Sequence, residues 1–235
     1  MRRYDVLLMD ADETLFDFHR SEQEALQKAL KDCGILATPS LIALYSRIND
    51  GLWKEFEKGL VTKPFLKEAR FIRLFEQAGL SGDPLKACER YPYYLGEASY
   101  LLDGAEALCR QLVAMGCTIY LTTNGISQVQ HRRLEKAPLR DCIADIFVSE
   151  DSGFQKPQRE YYDYVFRHLP DVDHRRVLAI GDSLSSDIQG GIHAGLDTCW
   201  LNWKGAESGS LKPTYTISSL REMPGVIELG CQAAW

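Results

Sequence analysis

Long apolar runs are missing from this 235-residue sequence. No stretch approaches the ~18 apolar residues that a bilayer-spanning helix needs, so no membrane partner is expected. The N-terminal MRRYDVLLMD places basic residues before an apolar run. That run is short and lacks a small-residue cleavage site, so it reads as a first strand and not a secretory signal. A basic excess is also missing. Lys and Arg total 27 against 33 Asp and Glu, a formal charge of −6, whereas nucleic-acid polymers are met by basic faces. The five histidines (His19, His131, His168, His174 and His193) show no ligand spacing, and no CxxC occurs. A zinc site is therefore not expected. The seven cysteines, Cys33, Cys88, Cys109, Cys117, Cys142, Cys199 and Cys231, are odd in number and sit mostly in apolar segments. They argue for reduced core thiols in a cytoplasmic protein and against a disulfide framework.

What is present is an ordinary globular composition, 45% hydrophobic and 26% charged, at a length that suits one domain carrying an insertion. Short apolar runs at Val6–Met9, Thr118–Leu121, Ile146–Val148, Val177–Ile180 and Thr198–Leu201 read as buried parallel strands. Helical stretches near 104–115, 127–137, 158–168 and 185–194 alternate with them, which predicts a Rossmann-like α/β parallel sheet. Residues 18–100 differ, with four helical segments and no convincing strand. HRSEQEALQKALKDCG ends on Gly34, Thr38–Pro39 offers an N-cap and a first-turn proline, and KPFLKEARFIRLFEQAG and DPLKACERYPYYLGEASYL open with proline in similar places. The expected organisation is an α/β core of residues 1–17 and 101–235 with an all-helical insertion over 18–100, placed to cover the end of the first strand.

Ligands of parallel α/β sheets bind outside the carboxyl ends of the strands. The first run delivers Asp10 and Asp12 there. The second, in IYLTTNG, delivers Thr122, Thr123 and Asn124. The third is followed by SEDSGFQKP with Lys156, and the fourth, in VLAIGDSLSSDIQGG, delivers Asp182 and Asp187. Clustered carboxylates repel and need a cation, and an all-oxygen set suits Mg²⁺, which lets an anionic carboxylate approach a phosphate. A carboxylate can then attack phosphorus to give an aspartyl-phosphate. A hydroxyl and an ammonium can stabilise the phosphoryl oxygens, and a second acid can protonate the leaving oxygen and later activate water. The expected partner is a small phosphomonoester. Singly, each residue has a plainer use: Asp10 to cap a turn, Lys156 as a solvated lysine, Asp187 as an acid favoured by a helix dipole.

In order along the chain stand D-x-D-x-T (Asp10 to Thr14), strand-end T-N (Thr123, Asn124), K-P (Lys156, Pro157) and G-D-x4-D (Gly181 to Asp187). Together with the helical insertion after the first motif, they resemble the haloacid dehalogenase superfamily phosphatases. The resemblance implies that Asp10 is the nucleophile, and that Asp12 is the general acid/base and lends a backbone carbonyl to Mg²⁺. It implies that Thr123, rather than Thr122, hydrogen-bonds the phosphoryl group, with Asn124 and Lys156 completing the phosphate site. Lys156 would hold the nucleophile and phosphate charges together. Asp10, Asp12 and Asp182 would serve as metal ligands, and Asp187 would orient that shell. The insertion would be a cap. Glu13 stands where many relatives carry Gly, and its role stays open.

Within the superfamily, dehalogenases and phosphonatases lack the second Asp, so Asp12 favours phosphate hydrolysis. A sugar-phosphate phosphatase or phosphomutase stays open, as does a non-catalytic phosphate-sensing module. DADETLFDF, TNGISQVQHRRL, VSEDSGFQKP and IGDSLSSDIQGGIHAGLDTCWLN are similar to the subgroup of nucleotidases acting on pyrimidine nucleoside monophosphates. That implies a Mg²⁺-dependent 5'-nucleotidase. Tyr45, Trp53, Phe56, Phe65, Phe71 and Tyr94 are candidates to meet a base or to pack the insertion. Arg70, Phe71 and Arg73 are candidates for substrate contact or for a plain amphipathic helix. Trp200, Trp203 and Tyr215 are candidates for an aromatic contact site or for core and rim packing.

Overall fold

The computed structural model describes residues 3–169 and 171–229. The chain forms two compact units, Met1–Asp17 with Tyr100–Trp235, and Phe18–Ser99. Residues 1, 2, 170 and 230–235 of the sequence-assigned core, and with them Cys231, lie outside the described residues. Among the described residues no helix is long and apolar enough to cross a membrane. Cys33, Cys88, Cys109, Cys117, Cys142 and Cys199 are free thiols.

The Phe18–Ser99 unit holds α1 (Phe18–Asp32), α2 (Pro39–Glu57), α3 (Lys63–Ala78) and α4 (Pro84–Glu97). Their starts are written locally. Thr38, Thr62 and Asp83 accept N-terminal N–H groups from Leu41, Phe65 and Leu85, each followed by proline in the first turn. α3 ends on Gly79 at φ 61. Tyr45, Phe71 and Tyr91 are buried rings packed in tilted and edge-on pairs with centroids 5.2–5.6 Å apart, and Phe56 meets Trp53 edge-on. Arg70 is buried as well, donating to Asn49 Oδ1 at 3.2 Å, while Asn49 Nδ2 donates to Glu22 Oε1 at 2.9 Å. Arg73 pairs with Glu55 at 3.9 Å, and the Tyr94 hydroxyl donates to Asp32. Most of the candidate substrate-facing residues of this unit thus pack or pair within it, whereas Phe65 is half exposed.

The other unit is a six-stranded parallel sheet of β1 (Val6–Met9), β2 (Thr118–Thr123), β3 (Ile143–Val148), β4 (Val177–Gly181), β5 (Asp197–Leu201) and β6 (Tyr215–Ile217). The strand order is β3-β2-β1-β4-β5-β6. β1 is apolar throughout because both faces are covered. Leu7 and Met9 join Ile119, Leu121 and Ile180 on one side, and Val6 and Leu8 join Val177, Ala179 and Tyr161 on the other. α5 (Ala105–Ala114) packs on the first side. α6 (Ser127–Lys136) and the short α7 (Ser149–Ser152) flank β3. α8 (Arg159–Arg167) packs on the second side with α9 (Gln189–His193), and α10 (Met223–Leu229) lies against α5.

Several elements depart from the sequence reading. β6 is an additional strand, and α7 and α10 are additional helices. The helix expected over 185–194 opens as a π-helical turn, Leu184–Ile188, in which both Asp187 and Ile188 N–H groups donate to Ser183 O. The Asp187 carboxylate folds back to accept from the Ser183 N–H at 3.1 Å, so α9 starts only at Gln189.

Candidate active site

Strand order places the carboxyl ends of β2, β1 and β4 side by side. Lys156 reaches this edge from the loop after α7, followed by Pro157 through a cis peptide bond. Its ammonium donates to Asp10 Oδ1 at 2.7 Å, Asp187 Oδ1 at 2.6 Å and the Thr122 carbonyl at 2.7 Å, which uses all three of its protons. Carboxylate oxygens of Asp10, Asp182 and Asp187 lie within 4.8 Å of one another. The carboxylate of Asp12 is not in this group. It points to α6, where Gln130 Nε2 donates to Oδ2 at 2.6 Å and Arg133 NH1 donates to Oδ1.

Gly181 explains how Asp187 fits. A Cβ at that position would land on the Asp187 carboxylate, so glycine before Asp182 lets the later acid lie against the end of β4. Asn124 clasps the lysine loop: its Oδ1 accepts from Lys156 N–H and its Nδ2 donates to Lys156 O, both at 2.9 Å. Thr123 is buried, with its hydroxyl accepting from Gly125 N–H at 3.0 Å. Thr122 contributes its main-chain carbonyl to Lys156.

Two indoles hold the acid loops by their carbonyls. Trp200 Nε1 donates to Asp182 O and Trp203 Nε1 to Glu13 O, each at 2.9 Å. Glu13 has φ 58, a conformation that costs a non-glycine residue of order 1 kcal/mol. The sequence left Trp200, Trp203 and Tyr215 between an aromatic contact site and core or rim packing; Trp200 is buried, Trp203 is exposed, and both indoles hydrogen-bond to the site's backbone. Tyr215 packs edge-on against Tyr4 in the core.

The electrostatics are those of excess negative charge. Burial raises the Asp10 carboxyl well above its ordinary value; Lys156 opposes this, and Asp187, Asp182 and Asp12 add to it. Asp182 is pushed up to about 7, by burial first and then by Asp187 and Glu13. Burial works against the Lys156 ammonium, yet Asp10 and Asp187 outweigh it and hold the lysine well above its usual value. With all three clustered carboxyls ionised, the one ammonium would leave two negative charges to balance, which adds to the hold of Asp10 and Asp182 on their protons. The donors are all oxygens, and this combination fits a hard divalent cation such as Mg²⁺.

Sequence reasoning missed Gln130 and Arg133. Both are buried. The available signal was their i, i+3 spacing, which puts two polar side chains on one face of α6 beside Val129 and Leu134.

A family model described as haloacid dehalogenase-like hydrolase matches residues 4–195. The chain is 40% identical to the HAD-hydrolase YfnB of Bacillus subtilis over 97% of each protein. It is 36% identical to the pyrimidine 5'-nucleotidase YjjG of Escherichia coli, covering 94% of this chain and 96% of that one. It is 35% identical to the pyrimidine 5'-nucleotidase PynA of Streptococcus pneumoniae, covering 94% and 93%. A crystal structure of YfnB bound to magnesium superposes with a TM-score of 0.91 at 39% identity, covering 97% of this chain and 100% of that one.

Proposed function

The chain belongs to the haloacid dehalogenase-like hydrolase family, and on that premise we propose that it is a Mg²⁺-dependent phosphomonoesterase acting through an aspartyl-phosphate, with pyrimidine nucleoside 5'-monophosphates as its preferred substrates. The observation that carries this reading is the buried Lys156 ammonium joined to Asp10 and Asp187, with Asp182 alongside and an unbalanced negative charge. Mg²⁺ would be held by the Asp10 and Asp182 carboxylates and the Asp12 carbonyl, with Asp187 beside them, and when bound it supplies the positive charge that lets a phosphate dianion sit against these acids.

Asp10 attacks phosphorus. Lys156 keeps that carboxylate in place and brings its positive charge close to the phosphoryl group, whose oxygens the Thr123 hydroxyl meets. Asn124 holds the lysine loop at the required distance. Asp12 gives its proton to the departing oxygen and takes one from the water that cleaves the acyl-phosphate. The names of YjjG and PynA support the nucleotide preference, and the helical Phe18–Ser99 unit, inserted in the chain directly after the Asp10 loop, is proposed as the cap that selects it.

The test is phosphate release from UMP, dUMP, TMP, AMP, glucose 6-phosphate and β-glucose 1-phosphate, with Mg²⁺ and with excess chelator. UMP, dUMP or TMP should lead, and chelation should abolish turnover. Full activity in chelator refutes the metal dependence. A sugar phosphate ahead of every nucleotide by tenfold in kcat/KM, about 1.4 kcal/mol, refutes the nucleotidase reading, and conversion of β-glucose 1-phosphate to glucose 6-phosphate identifies a mutase.

A further inference from the structure

Both carboxylate oxygens of Asp12 are taken by donors from a single helix, α6. We propose that Arg133 and Gln130 are positioning residues for Asp12, fixing where its carboxyl stands as it gives and receives the proton of the reaction; this deepens the phosphomonoesterase reading and rests on it. Arg133 has no exposed side-chain surface. A guanidinium so buried needs close acceptors, and the Asp12 carboxyl keeps one toward Arg133 NH1 whether or not it carries the proton. Arg133 Cζ also lies 4.6 Å from the centre of the Phe16 ring, within cation–π range. Phe16 closes the same loop: its N–H donates to Ala11 O at 2.9 Å and its carbonyl accepts from Glu13 N–H at 2.8 Å. Arg133 thus grips the loop at Asp12 and again four residues on.

The platform is itself fixed. The first turn of α6 has no local side-chain cap, and the Glu150 carboxylate accepts from Ser127 N–H at 2.8 Å instead. Gly125 keeps the route open, because a Cβ there would collide with the Gln130 amide. The glycine after Asn124 is therefore needed for Gln130 to reach Asp12.

In the first step the Asp10 oxygen–phosphorus bond forms, the ester phosphorus–oxygen bond breaks, and the Asp12 proton goes to the leaving oxygen. In the second, water oxygen bonds to phosphorus, its proton goes to Asp12, and the Asp10–phosphorus bond breaks. A carboxyl released from Arg133 and Gln130 is misaligned for that transfer. The loss falls on substrates whose leaving oxygen needs a proton and spares those whose leaving group departs as a stable anion.

The experiment compares kcat/KM of the full chain and of Arg133→Met, Gln130→Leu and Gly125→Ala, in saturating Mg²⁺. The substrates are the best alkyl phosphomonoester of the panel and p-nitrophenyl phosphate. For Arg133→Met and Gln130→Leu, the alkyl ester should lose at least tenfold while p-nitrophenyl phosphate stays within threefold. Gly125→Ala should show the same contrast, more weakly. Equal losses on both substrates, or folded variants that keep the alkyl activity, overturn the proposal. Should Arg133→Met fail to fold, the other two variants decide it by the same criteria. A wild type that hydrolyses neither substrate overturns the phosphomonoesterase reading itself, and that outcome needs no variant to be seen.

Discussion

In the helical unit Glu22 and Arg70 are buried together, linked through Asn49, with Ser46 donating to the second Glu22 oxygen at 2.5 Å and the Tyr91 ring 4.7 Å from Arg70 Cζ. In the α/β unit Lys156 is buried with Asp10 and Asp187, and Asp182 is added. Both units carry charge into their interiors, at a desolvation cost that only close partners offset. The helical network sets one buried acid against one buried base, joined by neutral hydrogen-bonding side chains of the same unit. The sheet-edge cluster has three acids to one base. Buried charge therefore does not by itself mark a site; what sets the sheet-edge cluster apart is its surplus of one sign at strand ends.

The hardest test of that contrast is Asp10→Asn. Turnover should fall by roughly 10⁴-fold or more, as expected for loss of a nucleophile. Because the amide also removes one of the repelling acids, the metal-free variant should melt no lower than the wild type. A clear drop in melting temperature would mean that the cluster is structural, like its counterpart in the helical unit. A smaller effect is expected from Gly181→Ala. The added methyl displaces the Asp187 carboxylate, so half-saturating Mg²⁺ should rise by about tenfold to a hundredfold, the usual range for groups that orient ligands. An unchanged Mg²⁺ titration would detach Asp187 from the metal site.

The smallest effect on turnover, within threefold, is expected from Glu22→Gln, and here stability is the readout. Burial first, and then Asp50, push the Glu22 carboxyl up to about 7, against the Ser46 hydrogen bond, His19 and Arg70. The folded state then binds this proton more tightly than the unfolded chain. The stability it contributes is complete below about pH 4.5 and is lost as pH rises through 7. Scanning calorimetry from pH 4.5 to 8 should show the wild type losing on the order of 3 kcal/mol more than the glutamine variant. Parallel curves would show that Glu22 does not titrate in this window.

Much of this was legible because local rules agreed with the fold. Apolar runs ending in acids marked β1 and β4, and Thr–Pro and Asp–Pro pairs marked helix starts. β6 was not legible because Tyr215–Ile217 has no apolar run and is a strand through its pairing with β5. The π turn at Leu184–Ile188 escaped because its register depends on where the Asp187 carboxylate goes. Gln130 and Arg133 read as an ordinary polar helix face, and only the tertiary approach of the β1 loop shows what they hold. Asp10, Lys156, Asp182 and Asp187 converge as their strand-end positions suggested, yet the balance of charge among them needed distances.

The place of β1 in the sheet has a kinetic consequence. It precedes every other strand of the sheet in sequence and lies near the middle, between β2 and β4. Its first partner, residues 118–123, follows only after the whole Phe18–Ser99 segment, and its second, residues 177–181, later still. The helical segment makes its contacts within one continuous stretch and belongs to the fast, low-contact-order class, whereas the sheet must close its largest loops before its central strand is paired. An apolar strand whose two partners lie so far along the sequence is exposed to misassociation until they arrive.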